Sequence, residues 1–272
     1  MRWSKKSTTI SVKSNKDGRT GVAADRVAAP APLQGIMTTL NLSPRLEAVA
    51  SFVRENARLC DVGTDHAYLP VWLILNGRAG SAVASDVLEG PLRRAAETVA
   101  AYGLEDSIRL NLGNGLDGLE TEGVTDIVIA GMGGELISDI LSAAEWVRFP
   151  DIRLILQPMT KQDELRRFLC ENGFAITEEA LAGEGRRIYQ VICASYDGIL
   201  RELSPLELLV GPRNMERGGR LFRRLLCELR ERYEIRRAGR KSAGCDTAGE
   251  DAVLEEIAGV LSSGSRTETD GH

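Results

Sequence analysis

Cys60-Asp61-Val62-Gly63-Thr64-Asp65-His66-Ala67-Tyr68-Leu69-Pro70 reads as a buried strand that runs straight into a polar turn and then a helix. In an open α/β fold such a turn lies at the carboxyl edge of the sheet and presents backbone N–H groups to a ligand. Gly63 lets the backbone approach a cofactor closely, and Asp61 and Asp65 are carboxylates suited to an ammonium group. The alternative is that both aspartates merely cap the following helix. One such turn does not decide between the two.

Working outward, Ser43 and Pro44 open a helix carrying Leu46, Val49, Ala50 and Val53 at helical spacing. Short apolar runs then alternate with helical segments. The strands are Leu59–Val62, Ala82–Val87, Ile108–Leu112, Ile127–Ala130 and Leu154–Leu156. The helices lie near Leu69–Leu75, Pro91–Tyr102, Glu135–Leu141 and Gln162–Glu171. This alternation predicts an α/β fold with a mostly parallel sheet covered on both faces. After Gly173 it stops, and Phe174–Leu181 and Ile188–Ser195 read as a hairpin joined by Ala182 to Gly185. A parallel sheet finished by an antiparallel hairpin is the chain order of the Rossmann-like, seven-stranded class I methyltransferase sheet. A dinucleotide-binding dehydrogenase would continue with another βαβ unit.

The other strand ends carry further candidates. Asp86 stands where an acid accepts hydrogen bonds from ribose hydroxyls, although a surface aspartate at a strand end is common. Gly113-Asn114-Gly115-Leu116 offers small and polar groups for an adenosine end, or simply an Asn-Gly turn. Ala130-Gly131-Met132-Gly133-Gly134 permits close approach at the same edge, and Gln157-Pro158-Met159 brings an amide beside it. The first turn lacks the three-glycine pattern that seats a pyrophosphate, which disfavours nicotinamide cofactors and leaves S-adenosylmethionine, which has no phosphate. With only His66 and His272 in the chain, a histidine triad or metal cluster has too little material, so no metal is expected.

The 272 residues suffice for one α/β domain and an appendage. The five cysteines form no CxxC pair, and no apolar stretch reaches membrane length, so a cytoplasmic, monomeric enzyme without a membrane partner is expected. Residues 1–38 read as a disordered extension within which Met37 is an alternative start, 39–200 as the catalytic domain, 201–262 as a helical arm and 263–272 as a disordered tail. In the arm, Phe222, Leu225, Leu226, Leu229 and Tyr233 face Val253, Ile257, Val260 and Leu261 in an α-helical hairpin of coiled-coil type.

The chain carries a net charge of −5, yet its charge is segregated. Residues 213–241 hold eleven basic side chains against four acidic ones, a local surplus of +7 that includes Arg217, Arg220, Arg223, Arg224 and Arg230. Four acids in the segment cannot pair eleven bases, so the arm reads as a surface for a phosphate backbone rather than a solvated helix of internal ion pairs.

Taken together, Leu42-Ser43-Pro44-Arg45-Leu46, the Asp61–Pro70 turn, Glu89-Gly90-Pro91, Ala130–Gly134, Leu154–Pro158 and Gly211-Pro212 resemble the bacterial tRNA (adenine-22-N1)-methyltransferases. The resemblance covers about residues 40–235 and is most specific in the ordered pair DHAYLP and AGMGG. It implies cofactor contacts from Asp61, Gly63, Asp86, Asn114 and the Ala130–Gly131 edge, extended by the neighbouring Gly115 and Met132. It also implies that Asp65, His66 and Tyr68 face the transfer site and that tRNA is the partner. This chain departs from the family pattern at Asp86, where Glu is frequent, at Asn114, where Asp is frequent, and at Met159, where many members have Asn. Methylation of another substrate, or RNA binding without catalysis, are the rival readings.

Overall fold

The computed structural model describes residues 40–120 and 123–264. The expected extension 1–38, with Met37, lies outside the described residues; of the expected tail 263–272, residues 263 and 264 belong to the last helix and the rest lies outside the described residues.

Seven strands form one sheet: β1 (Ala57–Val62), β2 (Ala79–Asp86), β3 (Ile108–Leu112), β4 (Asp126–Gly133), β5 (Arg153–Thr160), β6 (Phe174–Glu184) and β7 (Arg187–Tyr196). Their spatial order is β3-β2-β1-β4-β5-β7-β6. β1 pairs in parallel with β2 and β4, β2 with β3, and β4 with β5. β7 alone runs antiparallel, inserted between β5 and β6. The expected hairpin is therefore present, but its second strand, not its first, pairs with β5.

Period-two alternation splits the core into two layers. Val128 and Ile155 point to the face covered by α1 (Pro44–Phe52), α2 (Tyr68–Leu75) and α3 (Glu89–Ala101). Ile127, Ile129, Leu154 and Leu156 point to the face covered by α4 (Gly134–Ala143) and α5 (Gln162–Glu171). The central strands β1, β4 and β5 thus bury both faces, which is why they read as unbroken apolar runs. Pro44 opens α1 at its first turn as expected, while the Ser43 hydroxyl makes no capping bond. β4 and β5 run further than the apolar runs Ile127–Ala130 and Leu154–Leu156, with register shifts on either side of Met132. The Ala130–Gly133 segment is thus an irregular strand end rather than a free turn.

Four helices follow: α6 (Pro205–Val210), α7 (Pro212–Arg217), α8 (Arg220–Ser242) and α9 (Ala248–Gly264). Ser204 caps α6 with a full capping box, its side chain accepting from the Glu207 N–H and Glu207 returning to the Ser204 N–H. Phe222, Leu225, Leu226 and Leu229 of α8 pack with Val253 and Ile257 of α9 over Leu206 and Val210 of α6. A buried ion pair fastens this region to the sheet. Arg166 of α5 donates to Glu179 of β6 at 2.8 Å, to Gln190 of β7 at 2.6 Å and to the Leu208 carbonyl of α6 at 2.8 Å. Gly211 sits against the same carboxylate, where a Cβ would fall 2.1 Å from Glu179 Oε2. This accounts for the glycine of Gly211-Pro212.

Candidate active site

The turn after β1 takes an unusual path. Gly63, Asp65 and Ala67 have φ of 74°, 45° and 55°, so two non-glycine residues occupy the left-handed region within three positions. Such strain concentrates at functional loops and persists only where neighbours enforce it. The N–H groups of Gly63 and Thr64 both donate to the Ser85 carbonyl, at 2.8 and 3.1 Å, binding the turn to the end of β2. The helix-capping alternative for the two aspartates fails, because the N-cap position of α2 is Ala67 and no side chain caps it. Asp61 instead accepts from the Thr64 hydroxyl at 2.6 Å, and Asp65 pairs with Arg94 of α3.

Two hollows meet at Gly63. The first, about 140 Å³, is lined by Gly63, Asp86, Asn114, Gly115 and Met132, with Val87, Leu136 and Ile140 as apolar walls. The carboxyl ends of β1, β2, β3 and β4 thus converge on one slot. Val87 and Leu136 remain 61% and 50% exposed, apolar surface at a rim where a flat ring would cover it. The Gly113 N–H donates to the Asp86 carbonyl at 3.1 Å, holding the β3 loop beside β2. Gly115 has φ 60° and faces Ile140, whose Cγ2 would lie 3.0 Å from a Cβ.

The second hollow, about 340 Å³, is lined by Asp61, Gly63, Thr64, Asp65, His66 and Tyr68, by Ala130 and Gly131, and by Arg45 and Leu46 of α1. His66 and Tyr68 stack with ring centroids 5.0 Å apart and planes 5° from parallel, and Tyr68 is 43% exposed. Asp61 is buried, and desolvation pushes its carboxyl up to about 6, with Asp86 adding to the rise and the Thr64 hydrogen bond opposing it. A ligand ammonium would reverse that shift. A larger hollow of about 650 Å³, between Arg167, Cys170, Arg201 and Leu208, includes none of the candidate site residues.

The Ala130–Gly134 glycines separate into different tasks. Gly134 is required by packing, since a Cβ would lie 2.2 Å from the Lys161 carbonyl oxygen. Gly131 has φ 83° and open space beside it, with Arg45 Nη1 3.8 Å from a Cβ position. The Gly131 N–H donates to Gln157 Oε1 at 3.2 Å, and Arg45 Nη1 donates to the same oxygen at 2.7 Å. Arg45 also lies 5.7 Å above the Tyr189 ring. Arg45 and Tyr189 were not among the candidates. Arg45 lies in one of the segments that carry the family resemblance, but nothing local connects it to strand ends a hundred residues away.

The surplus of basic charge in α7 and α8 is smaller in three dimensions than along the segment. Glu250 of α9, 5% exposed, pairs with Arg236 at 2.8 Å and Arg240 at 3.3 Å, and Asp251 with Arg237 at 3.2 Å. Within the segment Arg213 pairs with Glu216, Arg224 with Glu228, and Arg230 with Glu234 at 4.0 Å. Arg217 donates to the Glu179 carbonyl. Among the described residues, the exposed Arg220 and Arg232 take no ion-pair partner, and Arg223 is exposed as well. The expectation that four acids face eleven bases is corrected by the return of α9, whose acids lie outside the counted segment.

No helix among the described residues is long and apolar enough to cross a membrane. Sheet order, reversed β7 and a divided hollow at the carboxyl ends of β1 to β4 together define a Rossmann-like methyltransferase domain. The family model described as "Methyltransferase domain" matches residues 42–192. The chain is 36% identical over 183 residues to the tRNA (adenine(22)-N(1))-methyltransferase of Bacillus subtilis (strain 168), covering 65% of this chain and 76% of that one. The chain belongs to this methyltransferase family. Among solved structures it is similar to a Streptococcus pneumoniae putative tRNA (m1A22) methyltransferase in complex with S-adenosyl-L-methionine, with TM-score 0.72, 36% identity and coverage of 81% and 100% of the two chains. It is similar also to the B. subtilis M1A22 tRNA methyltransferase TrmK, with TM-score 0.70, 31% identity and coverage of 82% and 98%.

Proposed function

We propose that this protein transfers a methyl group from S-adenosylmethionine to N1 of adenine 22 in tRNA, in the cytoplasm. The reading is carried by the two hollows that share Gly63, one fitted to a nucleoside and the other rimmed by exposed aromatic and acidic groups, in a chain of this family. The residues fit the cofactor. Asp86 suits ribose hydroxyls, and Asn114, Gly115 and Met132 with their apolar neighbours suit the adenine ring. Asp61 is a buried carboxylate without a cation, suited to the ammonium group. Gly63, Ala130 and Gly131 leave room between the hollows.

When bound, the cofactor supplies an electrophilic methyl group and keeps the electron pair of the broken C–S bond. Adenine N1 is neutral and already carries a lone pair, so the protein need not remove a proton before transfer. Its task is to hold the base in line, which alone is worth several powers of ten in rate. N1 lies on the pairing edge of the base, so the target must be unpaired or extruded. Tyr68, braced by His66, offers a flat face on which the base can stack. Positive charge moves onto the base as the N–C bond forms, and Asp65 stabilises it. Arg94 holds Asp65 in place and shares its charge, so that stabilisation is weaker than an unpaired carboxylate would give.

The arm, residues 201–262, holds the tRNA body through Arg217, Arg220, Arg223, Arg224 and Arg230, while 39–200 carries out the transfer. Arg220 and Arg223 lead in this role because both are exposed, and Arg220 borders a hollow shared with Ala180 and Leu181 of β6. Incubating the protein with unmodified tRNA and S-adenosylmethionine, followed by nucleoside mass spectrometry and mapping, should yield 1-methyladenosine at position 22. Absence of that nucleoside, or a methyl group elsewhere, overturns the proposal.

A further inference from the structure

The β6–β7 hairpin reaches past its neighbours on the side where both hollows open. β7 pairs with β5 only over residues 192–194, whereas its ladder with β6 continues to Glu184 opposite Arg187. Because β7 runs antiparallel to β5, the stretch from Arg187 to Val191 lies toward the carboxyl end of β5, at the edge that carries the cofactor loops. Gly185 and Arg186 close the hairpin as a two-residue turn, with Gly185 at φ 58° where such turns require a left-handed residue. This tip presents two adjacent guanidiniums. Arg186 and Arg187 are exposed, and neither side chain takes an ion-pair or hydrogen-bond partner among the described residues. Glu184 stands directly across the ladder from Arg187, yet it pairs with neither arginine, and its Oε2 is buried without a partner. The tip is nonetheless held in place. Arg224 of α8 donates to the Arg186 carbonyl and pairs with Glu228 at 2.8 Å, and Leu221 lies 3.2 Å from a Cβ position on Gly183. Two neighbouring cations on a fixed turn, with no acid to answer them, gain most from a phosphate.

We propose that Arg186 and Arg187 grip the RNA phosphates beside the target base, so that the hairpin tip connects the arm to the transfer hollow. This deepens the tRNA reading above and rests on it. The connection runs from residue to residue. Arg220 lies about one helical turn before Arg224 on α8, and Arg224 holds Arg186. Arg187 and Tyr189 share one face of β7, about 7 Å apart along the strand. It is the face on which Val191 and Cys193 enter the core on the side of α1. Tyr189 in turn lies under the guanidinium of Arg45, which lines the transfer hollow. An adenine extruded into that hollow brings its own two phosphates to the rim, and the tip is the cationic element that stands there. Arg224 serves the contact through the Arg186 carbonyl and is a positioning residue for it.

The test is tRNA binding at several salt concentrations by the full chain and by two double variants, Arg186→Gln with Arg187→Gln and Arg186→Lys with Arg187→Lys. The Gln pair should weaken binding by about 5- to 30-fold, each exposed ion pair being worth up to about fivefold. Its salt slope should fall by about 0.7–0.9 for every phosphate no longer neutralised. The Lys pair should keep most of the affinity and the slope. Both variants should bind S-adenosylhomocysteine as the wild type does and unfold at the same urea concentration, because neither side chain is buried. A tRNA with uncharged methylphosphonates on either side of the target adenine tests the placement. It should lose affinity for the wild type by a similar factor and lose none for the Gln pair. The wild-type comparison of the two RNAs stands even if a variant misfolds, and equal binding of both overturns the placement. Unchanged tRNA affinity and slope in the Gln pair overturn the proposal and leave the methylation reading intact. A parallel loss of S-adenosylhomocysteine binding also overturns it, by marking a structural role. The expected tip dependence in a protein that leaves tRNA unmethylated would support this contact and refute the proposed activity.

Discussion

The Met132 side chain lies over Gly63 so closely that a Cβ at the glycine would fall 2.3 Å from Met132 Cε. This contact joins the ends of β1 and β4 at the point where the two hollows meet. Gly63→Ala forces an L residue to φ 74° and displaces the methionine. The strain should lower stability by about 1–2 kcal/mol, readable in urea denaturation. Misplacing the two loops should cost roughly 100-fold in kcat/KM. Unimpaired turnover in a folded Gly63→Ala protein would dissociate this glycine from the site.

The ammonium site proposed at Asp61 should make cofactor binding depend on pH. Its carboxyl is raised from 3.8 to about 6, so its contribution to ligand-free stability is fully present below 3.8 and is lost as pH rises through about 6. Asp61→Asn should therefore stabilise the ligand-free protein at about pH 8, by up to about 3 kcal/mol, while weakening the cofactor. In the wild type, affinity should fall about tenfold per pH unit below the raised value, with proton release on binding. Calorimetry in buffers of different ionisation enthalpy checks this, and a flat profile between about pH 5 and 7 would remove Asp61 from the ammonium site.

The Arg166–Glu179 pair is fully buried and joins α5, β6 and α6. Glu179→Ala leaves an uncompensated guanidinium and should cost about 3–5 kcal/mol. Gly211→Ala drives a methyl group into the same carboxylate and should also destabilise the chain. Chemical denaturation measures both; a loss under about 1 kcal/mol for Glu179→Ala would show that water or a rearranged neighbour satisfies Arg166.

The arm's arginines should divide into two groups in tRNA binding. Arg220→Ala and Arg223→Ala should weaken it, and each should lower the salt slope by about 0.7–0.9 for every phosphate that the variant no longer neutralises. Arg236→Ala and Arg240→Ala should leave tRNA affinity nearly unchanged and destabilise the helical hairpin, because each removes one of the two guanidiniums that pair with the buried carboxylate of Glu250. Titrations at several salt concentrations separate the groups. Equal effects from all four would mean that the α9 acids do not screen α8.

Much of this architecture was legible before the structure. The βαβ alternation, the terminal hairpin and the α8–α9 pairing follow from periodicity, which records which side of each element is buried. Asp61, Gly63, Asp86, Asn114, Gly115 and Met132 could be named because cofactor loops occupy strand ends; Gly63, Asp86, Asn114, Gly115 and Met132 line one slot, and Asp61 lines the hollow that adjoins it. Other features escaped. The extension of β4 through Gly133 was missed because glycines signal turns, whereas here a bulge accommodates them. The α9 screening was missed because charge was counted along one segment.

The chain's local patterns determined the kinds of element, their order and the residue types at each strand end, since these depend on side-chain spacing within a few residues. Only the folded molecule decided that β7 slips between β5 and β6, that Arg45 and Gly131 converge on Gln157, and that Glu250 returns to Arg236. Those outcomes depend on sheet register and on hydrogen bonds between segments far apart along the backbone. No window of neighbouring residues contains both partners, so packing alone selects which distant groups meet.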